Sequence, residues 1–388
     1  MNIASRMHEI SPFHVMEILA RARALERAGR DVIHMEIGEP DFPTPPRVVE
    51  AATRFIRSGE VKYTPAAGLP ELREAIAGYY AQRYGVSVAP ERIFVTPGAS
   101  GGFLLAMGLL VEAGAKIALA DPGYPCYANF VRLFGGEPCL VPVGADSGFN
   151  LDAGLLRRYW DERTAGIVIA SPANPTGSMM PPGVLSELLD YAHGRAGFVI
   201  SDEIYHGLEY GERSSTALEF FPDAFVINSF SKYFGMTGWR LGWVVVPEEF
   251  MGDAEKLAQN IFISAPSHSQ AAALAAFSEE NLRELERRRL VFRERRDFMW
   301  GRLRAIGFVV EASPEGAFYI YADCGRFAPD SYQFALDLLM ETGVAVTPGL
   351  DFGANCPERF LRFCYTAPVP RLSEGMDRIE GFSRGRQG

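Results

Sequence analysis

From about residue 68 to residue 285 the chain alternates helix-like stretches with short runs rich in Val, Ile and Phe, each bounded by Gly or Pro. The runs are RIFVT (92–96), KIALA (116–120), AGIVIA (165–170), GFVISD (197–202) and FVINSFSK (225–232). They are apolar at both odd and even positions, as strands buried on both faces must be. Helices between such strands predict an α/β domain, a mostly parallel sheet sandwiched by helices. Beyond it, EENLRELERRRLVFRERRDFMWGRLR (279–304) predicts a long, charged, solvated linking helix, with Glu and Asp interrupting the basic residues. GFVVEA (307–312), AFYIYAD (317–323) and FLRFCYT (360–366) then predict strands of a smaller α+β domain. The expected division is an N-terminal arm over 1–35 packing with the small domain, a large domain over 36–285 and a small domain over 286–388.

Composition removes several classes of function. With 38 Lys plus Arg against 48 Asp plus Glu, the net charge is −10, which disfavours nucleic acid and anionic membrane surfaces as partners. No uncharged apolar run reaches the ~18 residues of a membrane span, and the N-terminus lacks the apolar core of a signal peptide. The five cysteines include no CxxC pair, and the six histidines form no HExxH. Free thiols in a reducing cytoplasm and no metal site are the expectation.

In open α/β sheets, ligands gather beyond the carboxyl ends of the strands. The polar residues at those ends are Gly98–Gly102, Tyr124, Asn174, Asp202, Tyr205, Ser229 and Lys232. A lysine, an acid, a phenol and a Gly/Ser turn thus converge. Lys232 stands out among four lysines. It closes an apolar run between aromatic residues, whereas Lys116 begins a strand, Lys62 lies in a polar loop and Lys256 in a surface helix. Partial desolvation near positive charge is what leaves a lysine amine neutral and nucleophilic.

Together with IGEPDFPTP (37–45), KYTPAAGLPELR (62–73), TPGASGG (96–102), SPANPTG (171–177), SDEIY (201–205), SFSKYFGMTGWRLGW (229–243), PEGAFY (314–319) and FLRF (360–363), this set resembles the pyridoxal phosphate site of fold-type I, class I/II aminotransferases of the aspartate aminotransferase kind. The resemblance runs over almost the whole chain, and SFSK followed by GWRLG is its most specific part.

The resemblance implies that Lys232 forms the Schiff base with pyridoxal 5′-phosphate and moves the substrate α-proton. It implies that Asp202 faces the ring nitrogen, where a carboxylate raises the pKa of that nitrogen by charge attraction. Tyr205 and Asn174 are the implied donors to the ring oxygen, Tyr124 the aromatic stacked on the ring. Gly98, Ala99 and Ser100 at a helix start, with Ser229 and Arg240, are the implied phosphate ligands. Tyr63 is the tyrosine expected to reach the phosphate from the partner subunit of a homodimer with shared sites. Arg362 is the implied bidentate partner of the substrate α-carboxylate, with Asn174 and the backbone of Gly38 beside it. Ile10, Phe13 and His14 are open between the side-chain pocket and ordinary packing.

The activity so implied is a ping-pong aminotransferase acting on an L-amino acid and a 2-oxo acid. A C–S β-lyase of the same fold would carry the same cofactor residues, because the motifs do not encode the fate of the carbanion. A pyridoxal-phosphate-binding regulator would need an added DNA-binding module, for which this N-terminus is too short and too acidic. A nucleotide-binding α/β protein would need a GxGxxG or GK[ST] loop, and neither occurs.

Overall fold

The computed structural model describes residues 2–10 and 12–386. After the first helix, α1 (His14–Arg27), the short strand β1 (Ile33–His34) pairs in parallel with Val344–Ala345, near the other end of the chain. The main sheet follows, with strands β2 (Ile93–Thr96), β3 (Lys116–Asp121), β4 (Glu137–Pro142), β5 (Thr164–Ala170), β6 (Phe198–Asp202), β7 (Phe225–Ser229) and β8 (Gly242–Val245) in the order β2-β8-β7-β6-β5-β3-β4. β8 alone runs against the others, pairing antiparallel with both β2 and β7. The sheet is therefore mostly parallel, as the sequence predicts.

Alternate strand residues enter two separate apolar layers. Ala118, Ile167, Ile169, Val199 and Val226 pack on one face with α3 (Pro70–Tyr84), α6 (Ala153–Tyr159) and α7 (Pro182–His193), the helix α2 (Pro46–Ser58) preceding them in the chain. Ile117, Leu119, Val168, Ile200 and Ile227 pack on the other with α4 (Gly98–Leu110), α5 (Cys126–Leu133) and α8 (Met251–Ile261). That two-residue alternation with both faces covered explains the unbroken apolar runs. Among the described residues, no helix is long and apolar enough to cross a membrane.

After α9 (Ser267–Ala273) comes α10 (Glu279–Ile306). It is not solvated all round: Leu285, Phe292, Met299 and Leu303 are buried along one stripe. Arg288 and Arg295 lie buried on the same helix because each has a partner. Arg295 grips Asp41 through Nη1 (2.6 Å) and Nη2 (2.9 Å), and Arg288 Nη1 donates to the Pro43 carbonyl at 2.7 Å. The charged helix thus clasps the 38–43 loop.

The remaining sheet has the order β11-β12-β9, built from β9 (Tyr319–Asp323), β11 (Thr347–Pro348) and β12 (Phe360–Cys364), all antiparallel; β10 (Val344–Ala345) is the partner of β1. The helices α11 (Ser331–Thr342) and α12 (Val369–Arg384) complete this part. Residues 307–312 form no strand; a single bridge joins Val309 to Asp323. Gly307 ends α10 at φ +113°, and Pro314 soon follows, which has no N–H to extend a ladder.

Candidate active site

A cavity of about 310 Å³ opens at the carboxyl ends of the parallel strands. Gly38, Ala99, Ser100, Tyr124, Asn174, Asp202, Tyr205, Lys232, Arg240 and Arg362 all line it. β7 stops at Ser229, where the chain turns, and Lys232 stands three residues beyond the strand end, its carbonyl accepting from Gly235 N–H at 3.1 Å. Its Nζ donates to the Gly38 carbonyl at 2.7 Å. Desolvation pulls the amine down to about 8, with the cations Arg362 and Arg240 adding to the fall and Glu39 opposing it. An amine so placed is substantially neutral at moderately alkaline pH.

Asp202 ends β6 and is buried. Burial pushes its carboxyl up to about 6, held back by a hydrogen bond from Tyr127 Oη to Oδ2 (2.5 Å) and one from Ile204 N–H to Oδ1 (3.0 Å). The Tyr205 and Tyr319 hydroxyls meet at 2.7 Å. Burial raises the phenols of Tyr124, Tyr127, Tyr205 and Tyr319, so all four remain protonated donors.

The third corner is the start of α4. Pro97 is its N-cap and no side chain caps it, which leaves the first N–H groups of the helix, Gly98 to Ser100, without intrahelical partners. Gly98 has φ +71°, and a Cβ there would lie 2.4 Å from Arg240 Nη2. A glycine is therefore required for the guanidinium to approach the helix end. Oriented N–H groups beside an exposed arginine make an anion cradle.

Across the cavity, Arg362 is buried on β12. Its Nη1 donates to Asn174 Oδ1 at 2.9 Å, and its Nη2 to the Glu36 carbonyl (2.5 Å) and Thr347 Oγ1 (3.2 Å). The guanidinium is sandwiched between the rings of Tyr319 (4.5 Å) and Phe352 (4.9 Å). Its Nε is buried and has no partner among the described residues. An arginine held this rigidly, with a donor to spare, suits a carboxylate.

The sequence pattern described as aminotransferase class I and II matches residues 30–379. The chain belongs to the class I and II aminotransferase family. It is 38% identical over 372 residues to the valine–pyruvate aminotransferase of Mycobacterium tuberculosis, covering 95% of this chain and 96% of that one. Its fold superposes on an aminotransferase structure from the same organism with a TM-score of 0.95, at 37% identity and 99% and 100% coverage. It superposes on Thermus thermophilus aspartate aminotransferase, solved with maleate, with a TM-score of 0.93, at 33% identity and 98% and 100% coverage. The chain is thus a fold-type I, pyridoxal-phosphate-dependent aminotransferase.

The residues of this aminotransferase fit that cofactor on their own chemistry. A lysine amine of lowered pKa, a buried carboxylate and an anion cradle stand around one cavity, matching an aldehyde, a ring nitrogen and a phosphate. Three residues stand apart from the cavity wall. Ser229 Oγ is buried, donating to the Leu241 carbonyl (3.0 Å) and accepting from Ser231 Oγ (2.9 Å), and it is Ser231 that lines the cavity. Gly98 lies behind Ala99 and Ser100. Tyr63 is 82% exposed and outside the cavity. In the N-terminal segment, Phe13 lines the cavity, while His14 packs its ring against Tyr332 and gives its N–H to Asp351.

Sequence reasoning missed three groups. Tyr127 reads as packing, yet it holds the Asp202 carboxylate. Tyr319 sits in a motif but carries no signal of its own. Its hydroxyl occupies the space a side chain at residue 38 would need: a Cβ on Gly38 would lie 2.1 Å from it. His206, next to Tyr205, is a buried brace. Its Nε2 bonds the Ser171 carbonyl at 2.9 Å and its Nδ1 the Tyr84 hydroxyl at 2.7 Å. Desolvation pulls this ring down to about 4, so it is neutral and ties the loop bearing Asn174 to the turn bearing Tyr205. The adjacency of His206 to the SDEIY motif is the only cue the sequence offers.

Proposed function

We propose that this aminotransferase exchanges an amino group between an L-amino acid and a 2-oxo acid in two half-reactions at this one cavity, with Lys232 as both cofactor anchor and proton carrier. The carrying observation is the Lys232 amine, brought near neutrality by burial, between the buried acid Asp202 and the buried arginine Arg362. When bound, pyridoxal phosphate supplies an electron sink for the bonds of the substrate α-carbon. Arg362 holds the α-carboxylate and is itself oriented by Asn174, Thr347 and two aromatic rings. Lys232 Nζ, unprotonated, takes the α-proton of the substrate so oriented and would deliver it to the cofactor carbon that carries the transferred amino group; in the second half-reaction it moves a proton the other way, to the α-carbon of the incoming 2-oxo acid. Asp202, steadied by Tyr127, pairs with the ring nitrogen. Tyr205 and Asn174 give hydrogen bonds to the ring oxygen, and Tyr124 packs on the ring. The start of α4 and Arg240 hold the phosphate, with Ser231 on the cavity wall and Ser229 behind it bonding the Ser231 hydroxyl.

In the same reading a second copy of the chain completes the phosphate end through Tyr63, whose exposure outside its own cavity supports a role across a dimer interface. Residues 36–285 carry the cofactor, and residues 286–388 with the arm 1–35 close over the substrate. The protein works in the cytoplasm, where its five thiols stay reduced.

The test is a panel of amino donors with 2-oxoglutarate, read by the change in absorbance of the bound cofactor and by formation of glutamate. Amino transfer that disappears in Lys232→Ala is the expected result. Pyruvate and ammonia released without an acceptor would assign the chain to β-elimination instead.

A further inference from the structure

The wall beside Arg362 is unlike the rest of the cavity. It is made by Phe13, Val15, Met16, Leu19, Ile37 and Phe352. Val15 and Met16 lie four and three residues before Leu19 on α1, so each is about one turn from it on the helix surface. Met16 is 57% exposed, and Phe13, Val15, Leu19 and Ile37 are half-buried, so this apolar surface is left open to the cavity by the folded chain.

The helix that presents this surface is fixed at both ends. At its start, the Asp351 carboxylate accepts the N–H groups of His14 (2.6 Å) and Val15 (2.7 Å). At its far end, His34 stands between Glu26 (3.2 Å) and Glu36 (2.7 Å). The hydrogen bond to Glu36 pushes the His34 ring up to about 9, so this latch is charged at neutral pH. The wall is therefore a built part of the site.

Charge sharpens its selectivity. The cations lining the cavity are Lys232, Arg240 and Arg362, and the acids are Glu36, Asp202 and Asp351. In the reading above, each cation already serves the cofactor or the α-carboxylate. A substrate with a second carboxylate would bring it to an apolar wall bordered by Glu36 and Asp351, with no further cation lining the cavity among the described residues of this chain. Leaving water for such a place without a partner is unfavourable, and the Asp351 carboxylate adds a like charge, whereas that of Glu36 is offset by the His34 cation. An aliphatic or thioether side chain would instead cover the open surface of α1 and gain by leaving water.

We infer that the amino donors selected by this enzyme carry an apolar side chain, seated against Val15, Met16 and Leu19 of α1. The inference rests on the aminotransferase reading and names its substrate class.

The experiment uses the cofactor-loaded enzyme and two readouts. The first is kcat/KM for leucine and methionine against aspartate. The expected preference is ~100-fold for the apolar donors, the scale on which hydrophobic pockets discriminate. Met16→Arg, at a position exposed enough to accept the change, should lower the leucine-to-aspartate ratio by at least about 10-fold, because it supplies a partner for the second carboxylate and strips apolar surface from the wall. The second readout is binding of two non-reacting acids, 4-methylpentanoate and succinate, followed by the perturbation of the cofactor absorbance. The former should bind more tightly. Aspartate equal to or better than leucine, or succinate tighter than 4-methylpentanoate, overturns the inference. Conversion of no donor at all overturns the aminotransferase reading instead, and the two acids still decide the nature of the pocket.

Discussion

The two ends of the cavity differ in construction. Around Asp202 the polar groups are buried, lie at or near strand ends and satisfy one another: Tyr127 on Asp202, Tyr205 on Tyr319, His206 on Ser171. Around α1 the side chains are apolar, half-open to solvent and borrowed from a helix remote in sequence from the strands they face. Arg362 stands at the junction, packed like the first end and facing the second. Groups that must stabilise charge need a rigid shell, whereas a wall that selects by shape can sit on an appended element and vary without disturbing that shell.

This contrast can be broken or sharpened by substitution. Lys232→Ala carries the largest expected effect, a loss of at least ~10⁴-fold in amino transfer, since anchor and proton carrier vanish together; circular dichroism should show an intact fold. Arg362→Leu comes next. With the α-carboxylate partner gone and Asn174 Oδ1 and Thr347 Oγ1 left without the donor they share, kcat/KM for amino acids should fall by about 10²- to 10³-fold. Cofactor retention, followed by absorbance after gel filtration, should stay near wild type. Equal loss of both would mean that the ends are not separable.

Tyr127→Phe probes the buried end more gently. Without that hydrogen bond, burial acts on Asp202 less opposed, and its pKa in the cofactor-free protein should rise above about 6. The cost in kcat should be about 10-fold, the value of one hydrogen bond to a charged group, measured as kcat at fixed saturating donor.

The smallest effect is a slope. The folded-state pKa of Lys232 is lowered from 10.5 to about 8. Between those values the unfolded chain holds a proton that the folded chain has released, so this group makes the cofactor-free protein more stable as pH rises through that window. Urea unfolding at pH 7.5 and 10 should show this increment in the wild type and lack it in Lys232→Met.

Legibility in the sequence follows the same divide. Strand ends announce themselves, because an unbroken apolar run must stop where Gly or Pro appears; Lys232, Asp202 and Asn174 are readable for that reason. β4 and β8 carry weaker signals and go unread, β4 being partly exposed and polar-edged and β8 hidden behind the GWRLG motif. Tyr127 and Tyr319 go unread as well, since a buried tyrosine on a helix or strand looks like core until its hydroxyl is seen to have a partner. The charged stripe of α10 reads as solvated because its partners, Asp41 and Pro43, are more than two hundred positions away. The wall on α1 exists through tertiary packing alone, and neither periodicity nor composition reports which cavity a helix face borders.

The clasp on the 38–43 loop reaches further than packing. Gly38 offers its carbonyl to the resting Lys232 amine, and a little further along the same backbone Asp41 and Pro43 are gripped by Arg295 and Arg288 from one long rod. Loop and rod must travel together. A shift of the rod by about 1 Å would carry a 2.7 Å contact past hydrogen-bonding range, so motion of the C-terminal half of the molecule is geared directly to the freedom of its one indispensable nitrogen.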